Sequence, residues 1–375
     1  MSSAAAPSAA LLDSGRLHVR FADGSHAAFI TKQRLIDTTK IPIDIRPSAA
    51  TVHGDNVAIE WSDPAHTSVF SLAWLRQHSY DPKLSESPLT RPRDLTLWGA
   101  SLVENLPTTP YEAIMAGDDG LRDWLNNIDR FGLGFVSGVP ANPKDTEILA
   151  RRISFIRESH YGGFWDFSPN LEHGDTAYTT IALPAHTDTT YFTDPIGAQL
   201  SLQFFHLLEH RGKGGESLYV DGFRVAEQLR ERKPWAFEAL SRIQITAHAA
   251  GDEHTLMQPT PALFTILRSD PTTGQMLQIR FNNDDRSVID HLSADDVRTF
   301  YAALREWTLL LRAKDNELWT QLLPGTAVMV DNWRVLHGRA EFSGFRRLVG
   351  SYHGWDDYRS RVKMVCGAGR AKDFI

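Results

Sequence analysis

Cysteine is almost absent from this chain of 375 residues, which contains Cys366 alone. A disulfide within the chain needs two cysteines, and a zinc site built on thiolates needs several. Both are therefore excluded, and the composition fits a reducing compartment. We expect Cys366, close to the C-terminus, to be an ordinary thiol.

Long apolar runs are also missing. No stretch approaches the roughly 18 apolar residues that a membrane-spanning helix needs. The start of the chain, MSSAAAPSAALLDSGR, has no early arginine or lysine and no long apolar segment, so it is unlike a signal or transit peptide. We predict a disordered tail over residues 1–15 and a cytoplasmic protein that does not contact membranes.

An excess of positive charge is the third absence. The chain has 39 Lys and Arg against 46 Asp and Glu, a net charge of −7, and no long basic run. Binding to nucleic acid usually needs a basic surface, so we expect no nucleic-acid partner. The share of hydrophobic residues, 42%, is that of a globular protein with a sizeable core.

The first part of the chain alternates apolar and polar residues. Residues 16–30, RLHVRFADGSHAAFI, surround Asp23-Gly24, a hairpin signal. Two further runs, residues 57–61 and 68–75, also read as strands. We predict a small β domain over residues 16–80, a linker rich in Pro, Ser and Thr over 81–110, and a larger domain over 111–375.

The strongest chemical pattern combines His186 and Asp188, in HTDTTYF, with His337, in DNWRVLHGR. Residues i and i+2 of an extended backbone lie on one side, so His186 and Asp188 can bind one metal ion. Alone, this pair is more often an ordinary surface feature. With His337 it makes the two-histidine, one-carboxylate set of non-haem Fe(II) oxygenases, which leaves three coordination positions open. Arg346 follows His337 by nine residues, and its guanidinium suits the far carboxylate of 2-oxoglutarate.

Seven motifs occur in an order that resembles the trimethyllysine dioxygenases, Fe(II)/2-oxoglutarate enzymes of carnitine synthesis related to the γ-butyrobetaine dioxygenases. The motifs are YGGFWDF, GDTAYTT, HTDTTYF, VDGF, FNNDDR, DNWRVLHGR and GFRRLVGSY. The resemblance runs from about Asn142 to the C-terminus. It implies a mostly β fold with covering helices, the double-stranded β-helix or jelly roll. Some relatives are mitochondrial, which leaves that compartment open.

The resemblance also implies the reaction. The substrate would be N6,N6,N6-trimethyllysine, hydroxylated at C3 by O₂ while 2-oxoglutarate is oxidatively decarboxylated to succinate and CO₂. This is the first step of carnitine biosynthesis. Ascorbate is expected only as a reductant of oxidised iron, and a homodimer is left open.

Site residues follow from the same motifs. Iron would be held by His186, Asp188 and His337, and 2-oxoglutarate by Arg346 with help from Ser217, which could equally be a strand-edge serine. Asn282 would contact the polar end of the substrate. A trimethylammonium group has no N–H to donate, so it is bound by the faces of aromatic rings. The matching cage residues are Tyr161, Trp165, Tyr178 and Tyr352.

Asp175, in GDTAYTT, matches a position where trimethyllysine enzymes have an acid and γ-butyrobetaine enzymes an asparagine. An acid there would attract the α-ammonium of trimethyllysine and repel the lone carboxylate of γ-butyrobetaine. The alternative is that Asp175 is a turn residue after Gly174.

The chain departs from the family in two places. Relatives hold a structural zinc with three cysteines and a histidine; His66 matches the histidine, but the cysteines are absent. A lone imidazole cannot supply four ligands, so we predict no zinc. The second departure is GAQLSLQFFHLLEH, which contains four apparently inserted residues, SLQF or an equivalent frame. An even insertion keeps the alternation of a strand but needs a bulge or a longer loop.

Three alternatives to trimethyllysine hydroxylation are open at this point. The enzyme could act on γ-butyrobetaine, or the two departures could mark a non-catalytic binding protein. A zinc hydrolase could use the same three ligands, but Arg346 and the aromatic cage would then have no purpose.

Overall fold

The computed structural model describes residues 6–12, 16–30, 47–61, 67–84, 93–168, 179–193, 200–250, 255–257 and 263–366. Contacts divide the chain into two compact units, Met1–Pro92 and Arg93–Ile375. Within the described ranges, no helix has both the length and the apolar character needed to cross a membrane.

The described residues of the first unit form two three-stranded antiparallel sheets and one short helix. Its elements are β1 (Ser8–Leu12), β2 (Arg16–Arg20), β3 (His26–Ile30), β4 (Pro47–His53), β5 (Asn56–Trp61), β6 (Thr67–Ser71) and α1 (Leu72–Gln77). Alternation along β2 and β5 buries one face of each strand, with Leu17, Val19, Val57 and Ile59 in the core. The hairpin predicted around Asp23-Gly24 is confirmed.

Two predictions for this unit are wrong. The segment predicted as a disordered tail contains β1, which pairs along its whole length with β2, because an apolar-alternating hairpin offers a free edge to a short extended segment. The run predicted as a strand over residues 68–75 turns into a helix at Leu72. The side chain of Ser71 accepts a hydrogen bond from the backbone N–H of Trp74, and such a cap favours helix initiation.

The second unit carries helices at its start, middle and end. They are a 3₁₀ helix (Ala100–Asn105), α2 (Tyr111–Ala116), α3 (Asp118–Phe131), α4 (Pro143–Ile153), α5 (Gly222–Arg232), α6 (Pro234–Arg242), α7 (Ala294–Leu311) and α8 (Trp355–Val365). Between them run β7 (Thr108–Pro110), β8 (Leu133–Ser137), β9 (Ile156–Arg157), β10 (Phe164–Phe167), β11 (Leu183–His186), β12 (Leu200–Gly214), β13 (Ser217–Asp221), β14 (Ala249–Ala250), β15 (Leu256–Met257), β16 (Leu267–Ser269), β17 (Met276–Ile279), β18 (Leu318–Thr320), β19 (Thr326–Asp331), β20 (Val335–Arg339) and β21 (Phe342–Gly354).

Two sheets form the centre of this unit. The larger has the order β10-β21-β12-β19-β8-β7, with β9 also paired to β21; the smaller has the order β11-β20-β13-β18. Side chains from both sheets share one core, including Phe135, Leu207, Tyr219, Val328 and Leu348. The two sheets therefore pack face to face, and the predicted jelly-roll fold is confirmed.

Helices cover the outer faces of both sheets. Helices α3, α4 and α8 pack on the larger sheet, where Trp124 of α3 lies against Phe204 with ring centroids 6.0 Å apart. Helices α5, α6 and α7 pack against β13, β17 and β20 of the other side. Strand β12 is consequently buried on both faces along its first nine residues, apart from Phe205, which is partly exposed.

The predicted linker is too long. Residues from Arg93 onward belong to the second unit, and Trp98 is only 5% exposed. Its indole N–H donates to the carbonyl of Phe131 at 2.6 Å, and its backbone N–H donates to Asp221 Oδ2 at 3.1 Å. The composition of the segment, rich in Pro, Ser and Thr, gave no indication that Trp98 is buried and anchors it.

The apparent insertion lies inside the barrel. Residues 201–204 form part of β12, where Gln203 pairs with Val330 of β19 and with Tyr352 of β21. A register shift falls between Leu200 and Leu202. The segment therefore forms part of the sheet, with an irregularity in its pairing to β21 at this point.

Candidate active site

Two neighbouring strands of the smaller sheet bring the predicted metal ligands together. His186 ends β11, and His337 lies directly opposite it in β20. Their ring centroids are 4.7 Å apart. Asp188 lies in the turn after β11, and the next residue, Thr189, has a positive φ of 59°. Such a conformation is strained for a β-branched residue and is typical of sites where function over-determines the backbone.

The ligand atoms of these three residues fit a single metal ion. One atom from each of His186, Asp188 and His337 lies within 4.8 Å of the others. Nε2 of His186 is 3.1 Å from Asp188 Oδ1, and Nε2 of His337 is 3.7 Å from Asp188 Oδ2. Two imidazole nitrogens and one carboxylate are the donor set that Fe(II) takes in oxygenases.

Hydrogen bonds from surrounding groups fix the positions of two of the predicted metal ligands, His186 and Asp188. Nδ1 of His186 lies 2.8 Å from the carbonyl of Pro184, so it carries the proton and leaves Nε2 free for a metal. The side-chain amide of Asn332 accepts from the backbone N–H of Asp188 at 2.9 Å and donates to its carbonyl at 3.0 Å. This two-point contact fixes the turn that carries the carboxylate.

The charges at the site are strongly coupled. Burial disfavours the charged form of His186, but the hydrogen bond and charge of Asp188 outweigh burial and raise the pKa of His186 to about 9. Burial acts to raise the pKa of Asp188, yet the two histidines together hold it well below its usual range. Burial lowers the pKa of His337. A metal ion bound here would replace the proton that His186 shares with Asp188.

Arg346 lines the same cavity as the three ligands. It lies in β21, is 7% exposed, and its Nε has no hydrogen-bond partner among the described residues. Burial lowers the pKa of Arg346 to about 10, so the guanidinium stays charged at neutral pH. A buried, charged donor without a partner needs an anion, and a carboxylate of 2-oxoglutarate fits that requirement.

The neighbouring arginine is placed differently. Arg347 points away and donates to Asp166 Oδ1 at 2.9 Å, with a side chain that is 40% exposed. Ser217, in β13, lines the cavity together with Arg346 and Tyr219. Arg346 and Ser217 therefore line the cavity, whereas Arg347 pairs with Asp166.

Three of the four predicted cage residues line one side of the cavity. The ring of Tyr352 lies 6.2 Å from that of Trp165 and 6.5 Å from that of Tyr161. Trp165 of β10 pairs with Gly350 of β21, and a Cβ on Gly350 would come within 2.2 Å of the indole. The glycine therefore permits the indole to approach the backbone of β21 closely. Tyr178 lies outside the described residues.

Polar side chains also face the cavity. Asn282, Asp284 and Asp285 line it, and Asp285 accepts a hydrogen bond from the hydroxyl of Thr190 at 2.6 Å. Asp175 lies outside the described residues, as does His66 of the first unit.

Several residues of the site were not found from the sequence, among them Gln203, Asn332 and Arg339. Gln203 is 2% exposed, and its Nε2 donates to Asp188 Oδ2 at 2.6 Å. Arg339 lines the cavity and donates to the carbonyls of Thr179 and Ile181 at 2.7 and 3.0 Å, which anchors the chain just before β11. Gln203 did leave a signal: a single amide in the apolar run LSLQFFHLL needs a buried partner.

Comparisons with known proteins agree with this chemistry. The model of the family described as "Taurine catabolism dioxygenase TauD, TfdA family" matches residues 87–352. The trimethyllysine dioxygenase of Neurospora crassa is 40% identical over 366 residues, which cover 88% of this chain and 75% of the relative. The mitochondrial trimethyllysine dioxygenase of Gallus gallus is 39% identical over 340 residues, covering 89% and 78%. The γ-butyrobetaine dioxygenase of Pongo abelii is 29% identical over 341 residues, covering 89% and 86%.

Proposed function

Because the chain belongs to the TauD, TfdA family of dioxygenases and to the trimethyllysine dioxygenases within it, we propose that it hydroxylates N6,N6,N6-trimethyllysine at C3, the first step of carnitine biosynthesis. The reaction is coupled to oxidative decarboxylation of 2-oxoglutarate. One observation carries the proposal: His186, Asp188 and His337 converge in one cavity with the buried Arg346, whose Nε has no hydrogen-bond partner in the part of the chain that the structure describes.

The metal site suits Fe(II). His186 and His337 would bind it through nitrogen and Asp188 through oxygen, and positions remain for small ligands. When bound, iron supplies the activation of O₂ that amino-acid side chains cannot supply. A zinc hydrolase would use the same three residues, but it would leave Arg346 as a buried charge without an anion.

Arg346 holds the co-substrate. Its guanidinium accommodates the C5 carboxylate of 2-oxoglutarate, and Ser217, which lines the same cavity, donates a hydrogen bond from its hydroxyl to that carboxylate. The protein thereby fixes the co-substrate relative to the metal ligands, which lowers the entropic cost of bringing the reactants together.

The aromatic wall binds the substrate's cation. Tyr161, Trp165 and Tyr352 offer ring faces, and each cation–ring contact is worth about 0.5–2 kcal/mol when desolvated. We assign Tyr178 to the same cage on its sequence motif. The rings bind the trimethylammonium without a hydrogen bond, so they hold any substrate with this head.

Choice of substrate therefore depends on the other end. Trimethyllysine carries an α-ammonium beside its carboxylate, whereas γ-butyrobetaine has the carboxylate alone. Asp284 and Asp285 line the cavity with Asn282, and acids attract the first substrate and repel the second. Together with Asp175, proposed from its motif, they favour trimethyllysine. The identities of 40% and 39% to trimethyllysine dioxygenases, against 29% for the γ-butyrobetaine enzyme, point the same way.

The test is a turnover assay with product identification. Purified protein is supplied with Fe(II), 2-oxoglutarate, O₂ and trimethyllysine, with and without ascorbate. We expect one succinate for each 3-hydroxy-trimethyllysine, and ascorbate should prolong turnover without entering that ratio. A parallel reaction with γ-butyrobetaine is the control. Faster hydroxylation of γ-butyrobetaine, or succinate release that neither substrate stimulates, would contradict the proposal.

A further inference from the structure

The carboxylate of Asp188 is held on one side by two donors. Its Oδ2 accepts from Gln203 Nε2 at 2.6 Å and from the hydroxyl of Tyr352 at 3.2 Å. The two donors also lie 3.3 Å from each other. Its Oδ1 faces Nε2 of His186 at 3.1 Å. We propose that Gln203 and the Tyr352 hydroxyl are positioning residues that occupy Oδ2 and turn Oδ1 toward the metal.

The sheet register makes this arrangement rigid. Gln203 of β12 lies directly opposite Tyr352 of β21, and the two side chains are 2% and 5% exposed. Neither can leave its place without breaking a buried hydrogen bond. Asn332 fixes the backbone of Asp188 separately. Different residues thus hold the backbone and the carboxylate of Asp188. Gln203 and Tyr352 restrict the rotation of the carboxylate and do not hold the backbone.

Tyr352 consequently has two separable roles. Its ring forms part of the aromatic wall with Trp165, while its hydroxyl supports the metal ligand. Gln203 connects both roles, because it contacts Asp188 and the Tyr352 hydroxyl at once. This inference rests on the proposed metal site. It assigns two residues to the metal centre. The motifs place Tyr352 only in the substrate cage, and they give Gln203 no role.

The experiment uses the full-length protein freed of metal and titrated with Co(II) in the absence of substrate. Gln203→Met keeps the length of the side chain and removes the donor; Tyr352→Phe keeps the ring and removes the hydroxyl. Loss of a hydrogen bond behind a metal ligand weakens metal binding by about 10–100-fold. We expect a weakening in this range for each variant and a changed Co(II) absorption spectrum.

Phe204→Leu is the matched control. Phe204 neighbours Gln203 in β12, but it packs on the opposite face against Trp124. It tests whether disturbed packing of the strand alone weakens the site, and thermal unfolding of all variants measures that disturbance. We expect Phe204→Leu to lower stability and leave Co(II) affinity unchanged.

A kinetic readout separates the two roles of Tyr352. Tyr352→Phe should leave the KM for trimethyllysine unchanged, because the ring face remains. Tyr352→Leu should raise that KM and also weaken Co(II) binding. Wild-type affinity for Co(II) in both Gln203→Met and Tyr352→Phe, or an equal loss in Phe204→Leu, would overturn the inference while leaving the proposed function intact. Failure of the wild-type protein to bind Co(II) would overturn both.

Discussion

Replacement of Arg346 by methionine is predicted to weaken 2-oxoglutarate binding and leave the metal site intact. Arg346 is 7% exposed and its Nε has no partner among the described residues, so its contact with a carboxylate would form away from bulk water. A charge-assisted hydrogen bond contributes about 1.5–3 kcal/mol. Since each 1.4 kcal/mol is a factor of ten, the dissociation constant should rise by about 10- to 150-fold.

Arg347→Met is the internal control for this prediction. It removes the same charge one residue away, but Arg347 is 40% exposed and pairs with Asp166 at the surface. Such a pair is worth about 0–1 kcal/mol, and no effect on 2-oxoglutarate is expected. Calorimetric titration of the Fe(II)-loaded variants without O₂ gives both constants. A loss of affinity in Arg347→Met but not in Arg346→Met would refute the assignment.

The remaining predictions concern ligands, selectivity, stability and zinc. Alanine in place of any metal ligand should abolish turnover, and 2-oxoglutarate decarboxylation that persists in all three variants would contradict the triad of His186, Asp188 and His337. Asp175→Asn should weaken the binding of trimethyllysine by about 1.5–3 kcal/mol. In competition assays it should also move the ratio of kcat/KM values toward γ-butyrobetaine, and an unchanged ratio would exclude Asp175 as the residue that selects the substrate. Asp221→Ala should lower the free energy of unfolding by about 3–5 kcal/mol, because Asp221 and Arg334 form a fully buried ion pair at 2.8 Å. A loss of less than about 1 kcal/mol in urea unfolding would contradict this prediction. Metal analysis of protein purified without chelators should find no stoichiometric zinc, and one zinc per chain that survives mutation of the triad would show ligands missed in the first unit.

The sequence was most informative where chemistry and local order coincide. The spacing of His186 and Asp188, followed by His337 after an apolar strand, predicted a set that the fold brings within 4.8 Å. The jelly roll was predicted from a family resemblance, since strand patterns alone do not specify which strands pair. Helix α3 followed from the spacing of its apolar residues, and the first hairpin from its turn.

The supporting contacts could not be predicted because they join distant parts of the chain. Asn332 is 144 residues from Asp188 along the chain, and Gln203 is 15 residues away on the other sheet. Neither lies in a pattern that specifies its partner, since the contact depends on how two sheets face each other. Composition failed at residues 93–110 for a related reason: Trp98 anchors an otherwise polar stretch, and composition averages over single residues.

If one cavity holds Fe(II), 2-oxoglutarate and trimethyllysine together, as we propose, anaerobic reconstitution should show their joint binding directly. Metal-free protein is mixed with Fe(II) and 2-oxoglutarate without O₂ and followed by visible absorption. We expect a charge-transfer band that requires both components, and loss of that band with formation of succinate when trimethyllysine and O₂ are added. A protein that forms no such band, or whose band persists under O₂ with trimethyllysine present, would contradict this proposal.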